Sequence, residues 1–257
     1  MLGLITAHDP LTPRAIVMCM GAEQADYRVE LYEPYHAHRD PMPPELAQQW
    51  IRVQDLVESL DWTYATSETL EADDVMLSHA RLEEEKGGRA VLLTADRDLF
   101  GAVSDRVAVL ELHKGGGYGL IGPDGVRERY GIGPDLVPDL IALRGDPSDG
   151  IPGAPGVGAK TAAALLKEHG SLEEVLRVAA LSASGALAGP GRIRPRIAGV
   201  LADNDALLRD FKHVATLQRF DVKRPADRET DFAGGAGTAA AMGMRRLAER
   251  LTALATP

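Results

Sequence analysis

Arg89-Ala90-Val91-Leu92-Leu93-Thr94-Ala95-Asp96-Arg97-Asp98 decides how this chain is read. Residues 89–94 are an apolar run of the length of a buried strand, and too short for a helix. Two aspartates follow at once, at the carboxyl end where open α/β sheets hold their ligands. Working outward, residues 15–20 (AIVMCM) and 106–111 (RVAVLE) are two further runs of the same kind. Helical spacing separates them. Pro43-Pro44 opens a stretch, Glu45 to Leu60, in which Leu46, Trp50, Val53, Leu56, Val57 and Leu60 recur three and four residues apart. Ser67-Glu68-Thr69 precedes a second helix, from Glu71 to Lys86. Alternating strands and helices predict an α/β fold with a mainly parallel central sheet flanked by helices.

Beyond Gly122 strands become scarce. Helices are expected at 123–130, 134–144, 160–169, 171–179 and 202–218, with Gly/Pro/Ser-rich interruptions at 145–159 and 183–195. Residues 233–240 read as a low-complexity connection to a last amphipathic helix, Met242 to Leu254. The expected organisation is an α/β domain over residues 1–121, a helical subdomain over 122–235 and a C-terminal helix within 236–257.

A hydrophobic fraction of 45% in 257 residues is ordinary for a soluble globular protein. The single cysteine, Cys19, excludes an internal disulfide framework and makes a reducing, cytoplasmic location the default. No apolar run approaches the roughly 20 residues of a membrane span, and no basic segment leads into an apolar one at the N-terminus. Neither an export signal nor a membrane anchor is expected. The net charge of −10 argues at first against nucleic acid. That argument weakens once the acids are seen to cluster, while basic residues gather at Arg192, Arg194, Arg196, Arg209, Lys212, Arg219, Lys223 and Arg224.

The acids fall in three clusters: Glu71-Ala72-Asp73-Asp74, Asp96-Arg97-Asp98 and Asp146-Pro147-Ser148-Asp149. Each alone has a plain reading, as decoration of a helix's first turn, a loop cap or a turn. Together, at the ends of apolar segments, they point to a divided metal site, since crowded carboxylates repel unless protonated or sharing cations. Hard oxygen ligands in such numbers suit Mg²⁺ or Mn²⁺. Within the first cluster Glu71 and Asp74 share a helix face by their spacing, and Asp73 points to one side. Gly153-Ala154-Pro155-Gly156-Val157-Gly158-Ala159-Lys160-Thr161 is a glycine-rich turn opening a helix, the pattern of a helix-hairpin-helix that holds DNA by its backbone. A P-loop fails on spacing and on the lack of a preceding strand. His36 and His38 are poor candidates for a metal pair, lacking a third soft ligand; Arg28 and Arg39 are better placed to meet phosphate.

Tyr35-His36-Ala37-His38-Arg39, Glu71-Ala72-Asp73-Asp74-Val75, Leu93 to Leu99, Gly145 to Gly153 and Gly156 to Ala162 together resemble the bacterial 5′-3′ exonuclease and flap endonuclease family, which includes the 5′-nuclease domain of DNA polymerase I. The resemblance runs from about residue 15 to residue 235. It implies a nuclease domain with an arch over the active site and a helix-three-turn-helix element with a K⁺ ion. It also implies hydrolysis of DNA flaps, nicked or branched duplex by a two-metal mechanism. Carried over position by position, it implies His36 and Arg39 as catalytic residues. Glu71, Asp73, Asp74, Asp96, Asp98, Asp146 and Asp149 become metal ligands; Arg28, Tyr35, Gly153, Gly156, Val157, Gly158, Lys160 and Thr161 become DNA contacts.

The chain also departs from the family pattern. It begins downstream of the first strand and its ligand aspartate, so that Met1-Leu2-Gly3-Leu4-Ile5 resembles the helix that follows. Val17 to Ala22 lacks the aspartate that ends the family's second strand, His36 stands where the family has lysine, and Gly150 where it has asparagine. Loss of two ligands predicts severe weakening of cleavage. A module that binds branched DNA without cutting it is the alternative.

Overall fold

The computed structural model describes residues 13–112, 118–187 and 189–255; the helix expected at Met1–Ile5 lies outside them. The first elements are β1 (Val17–Cys19), α1 (Asp26–Leu31), α2 (Pro44–Ile51), α3 (Val53–Ser59), β2 (Thr63–Ala65) and α4 (Ala72–Glu85). They are followed by β3 (Ala90–Leu93), a 3₁₀ turn at Asp98–Ala102, β4 (Val107–Leu112), β5 (Tyr118–Ile121) and α5 (Pro123–Tyr130). The named elements that follow among the described residues are helices: α6 (Val137–Arg144), α7 (Ala159–His169), α8 (Leu172–Ala183), α9 (Pro195–Asp203), α10 (Asp205–Ala215), α11 (Phe232–Ala241) and α12 (Arg245–Ala255).

Close contacts divide the chain into two units, neither contiguous in sequence. One comprises the described residues of Met1–Gly21, Asp40–Glu68 and Lys223–Pro257, the other those of Ala22–Arg39 and Thr69–Val222. In the first, β1 and β2 pair in parallel, Val17 opposite Thr63, and a small core joins Val57, Leu60 and Trp62 to Ala236, Ala239, Ala248 and Leu251. The low-complexity stretch 233–240 is helix here, a correction to the expected connection. Alanine has the best helix propensity, Asp231 caps the N-terminus by accepting from Gly234 N at 2.8 Å, and Gly235 leaves no room for a side chain against Leu60. The amphipathic stretch 45–60 is also not one helix: it breaks at Arg52, and Leu46, Trp50 and Ile51 are exposed rather than buried.

The second unit carries a three-stranded sheet in the order β3-β4-β5, the first pair parallel (Ala90 opposite Val107) and the second antiparallel (Leu110 opposite Leu120). Leu92 and Val109 turn one face of this sheet into a core completed by Leu99, Phe100, Leu140, Ile141, Leu176 and Phe211. β2, β5, α1 and α9 have no counterpart in the sequence-based expectation; the first three are six residues or fewer, too short to show a period, and α9 begins before the helix expected from 202. What the core does for the site is fix where strands and helices end. β3 stops at Leu93 just before Asp96 and Asp98, α4 starts just after Glu71, and α6 ends at Arg144 before Asp146.

Candidate active site

The three acidic clusters meet in the second unit around a small cavity of about 70 Å³, lined by Glu71, Asp73, Asp96, Asp98 and Asp149 among others, with His36 and Arg39 on its wall. Their states differ because their neighbours differ. Glu71 is already engaged: Oε1 accepts from Ala25 N at 2.8 Å, Oε2 accepts from the Tyr35 hydroxyl at 3.0 Å, and Arg28 Nη1 lies 3.0 Å from Oε1. Asp74 is fully buried, takes both terminal nitrogens of Arg28 at 3.0 and 2.9 Å, and accepts from Gln218 N at 2.7 Å. Asp74 therefore holds structure and does not face the cavity, whereas Asp73, expected to point aside, lines it.

Asp73 and Asp98 carry the strain of the crowding. Burial first, then the charges of Asp96, Glu71 and Asp74, raise Asp73 to about 7 against the opposing pull of Arg28. Burial, then Asp96, Asp149 and Asp146, raise Asp98 to about 8, with Arg144 opposing. Asp149 goes the other way: burial raises it, but the hydrogen bond and charge of His36 and the charge of Arg39 outweigh that and lower it. Asp96 turns back to accept from Asp98 N at 3.0 Å, and Asp146 accepts from Ser148 N at 2.9 Å with Arg144 Nη2 3.5 Å away. Among the described residues, no group of three or more His, Cys, Asp or Glu side chains is arranged to hold a metal ion. The carboxylates that line the cavity thus converge without forming a closed ligand shell.

The residues expected to meet DNA sit in unlike surroundings. Arg28 is buried on the cavity wall, with Nε donating to Val214 O at 3.0 Å and both terminal nitrogens held by Asp74. Tyr35 is likewise buried; burial and Glu71 raise its hydroxyl, which stays a proton donor. His36 stacks on Tyr35 with ring centroids 3.8 Å apart, and its Nε2 lies 3.0 Å from Asp149 Oδ1. His38 is exposed and makes no pair with it. Arg39 remains at the rim, donating from Nη2 to Asp149 Oδ1 at 3.0 Å.

The glycine-rich turn sits in the same unit. Asp146 and Ile151 exchange backbone hydrogen bonds of 2.7 and 2.8 Å, closing the acidic loop, and Gly153 packs so tightly on Gly145 that a Cβ would stand 2.3 Å from Gly145 N. Val157 is buried, its N–H donating to Ala154 O at 3.0 Å, so its side chain anchors the turn. Gly156, Gly158 and Lys160 are exposed, and α7 begins without a side-chain cap, leaving its first N–H groups for an outside acceptor.

The profile of the 5′-3′ exonuclease N-terminal resolvase-like domain matches residues 1–131, and that of the 5′-3′ exonuclease C-terminal SAM fold matches residues 132–230. The chain belongs to the 5′-3′ exonuclease family. A thermostable DNA polymerase I of Thermus thermophilus is 44% identical over 164 residues, 64% of this chain and 19% of that protein. DNA polymerase I of Mycobacterium tuberculosis is 38% identical over 165 residues, 64% and 18% respectively. The chain thus spans about a fifth of the length of these relatives. Among solved structures, the bacteriophage T5 5′-exonuclease with bound zinc aligns with a TM-score of 0.64 at 17% identity, over 98% of this chain and 85% of that one. The catalytic core of Rad2 in complex with DNA substrate aligns with a TM-score of 0.57 at 15% identity, over 94% and 79%. Both likenesses concern the fold: a resolvase-like α/β domain and a helical domain, as the family profiles describe.

One departure from the 5′-3′ exonuclease pattern now has a backbone explanation. Gly150 stands at φ +77°, in the left-handed region where asparagine is the commonest alternative to glycine. The exchange keeps the turn. His36, at φ +56°, is a different matter: a non-glycine residue held left-handed, fixed by its own N–H to Asp149 O at 3.2 Å.

Proposed function

We propose that the chain is a metal-dependent 5′-3′ exonuclease and structure-specific flap endonuclease that hydrolyses DNA phosphodiester bonds. The observation that carries this reading is the gathering of Glu71, Asp73, Asp96, Asp98 and Asp149 on one cavity with Arg39 at its rim. The donor chemistry fits a hard divalent cation, Mg²⁺ or Mn²⁺, because unprotonated oxygens this crowded need a shared positive charge. Asp73, Asp96, Asp98, Asp146 and Asp149 would hold it; Glu71 and Asp74 are committed to Arg28. A bound ion would supply positive charge to the phosphoryl oxygens and would lower the pKa of a water. The protein's own part is positional. Arg39 offers a guanidinium to the scissile phosphate, His36 fixes Asp149 by its ring and backbone, and Lys160 with the open start of α7 holds the duplex backbone away from the cut.

The test is cleavage of a 5′-labelled flap DNA in Mg²⁺ or Mn²⁺ against EDTA, with binding followed on the same DNA. Asp96→Ala and Asp146→Ala should each lower cleavage by at least about 100-fold and leave binding within about 2-fold, since they remove metal charge and spare the grip. Cleavage that survives both substitutions refutes the site; binding without any product makes the chain a DNA-recognition module.

A further inference from the structure

The eight basic residues between Arg192 and Arg224 meet unequal fates. Arg209 Nε donates to Asp205 Oδ1 at 2.8 Å; Lys212 Nζ lies 3.0 Å from Asp139 and 2.9 Å from Glu173; Arg219 pairs with Glu85. These charges are neutralised within the second unit, while Lys223 and Arg224 belong to the first. Arg192, Arg194 and Arg196 are exposed and, among the described residues, make no side-chain hydrogen bond or ion pair.

Their presentation is built by the core. Ile193, buried at 4% exposure, faces inward, and its N–H donates to Ser182 Oγ at 3.2 Å. Arg194 is extended at φ −55°, ψ 137°, so Arg192 and Arg194 alternate with Ile193 and stand on the solvent side, about 6–7 Å apart along the chain. Pro195 then starts α9, and Arg196 occupies a first turn that contains no acidic residue. Three unpaired guanidiniums beside the positive end of a helix dipole repel one another unless an anion meets them. Guanidinium forks match phosphate oxygens, and residues 185–199 contain no aromatic side chain on which a base could stack. The first fact points to a nucleic-acid backbone, and the second favours a duplex over a single strand.

We propose that Arg192, Arg194 and Arg196 form a second phosphate-contact surface for duplex DNA, separate in sequence from the Gly153–Thr161 turn. It grips a further stretch of backbone without reading bases. This rests on the reading of the chain as a DNA nuclease.

The experiment is the salt dependence of flap-DNA binding in EDTA, with thermal melting of each variant in parallel. Substituting all three arginines by glutamine should reduce the slope of log K against log salt by about 2–3, at about 0.9 per phosphate contact. Affinity at about 0.1 M salt should fall about 10- to 100-fold, equally for unrelated sequences, with the melting temperature unchanged. The triple lysine variant should restore the slope, as charge is kept. An unchanged slope in a folded glutamine variant, alongside wild-type binding and cleavage, overturns the arginine surface and leaves the nuclease reading standing. Wild-type protein that binds no DNA at all overturns both.

Discussion

Asp73 and Asp74 are adjacent in sequence and opposite in fate. Asp74 is sealed against Arg28, which comes from α1, 46 residues away, and Asp73 turns to the cavity. Spacing on a helix cannot make that distinction, because it records which residues share a face and not which face is covered. A buried guanidinium between two carboxylates is costly to leave half-made. Arg28→Met should therefore destabilise the protein by about 3–5 kcal/mol in urea denaturation. Were Arg28 a surface phosphate contact instead, stability would hold and DNA affinity alone would fall.

Among the elements, the turn into α7 shows how glycines of similar sequence context do different work. Gly153 stands at φ +67° with Gly145 N and the Arg144 carbonyl carbon close against it, whereas a Cβ on Gly158 would meet nothing within 4 Å. Gly153→Ala should cost about 1–3 kcal/mol and disturb the acidic loop with it. Gly158→Val should melt like wild type and weaken duplex binding for all sequences alike, because its effect is confined to the open start of the helix. Parallel melting and binding curves check both. The α11 helix teaches the converse lesson. Glycine and alanine in 233–240 look like a linker by composition, yet small residues are what allow close packing on Leu60 and Leu251.

Over the whole molecule, the crowded cavity sets a dependence of stability on pH. Asp73 and Asp98 have ordinary values of 3.8 and folded values of about 7 and about 8, so the fold favours their protonated forms. That contribution is complete below about pH 4 and is lost as pH rises through about 7 to 8. In metal-free buffer the melting temperature should fall across that window. Asp73→Asn and Asp98→Asn should flatten the fall, raising the melting temperature by a few degrees at about pH 8. A steeper fall in either variant would refute the account. By itself the sequence determined the α/β character of the first half, the helical second half, the placement of acids at element ends and the family. Those features are local: periodicity, turn chemistry and short motifs are written in neighbouring residues. Only the tertiary structure decided which carboxylates line the cavity, that Arg28 is locked to Asp74 while Tyr35 and Val157 pack into the core, and which arginines stay free among the described residues. Each of those outcomes depends on partners far apart in the chain, such as Arg219 and Glu85 across 134 residues, whose meeting is set by packing and not by any pattern along it.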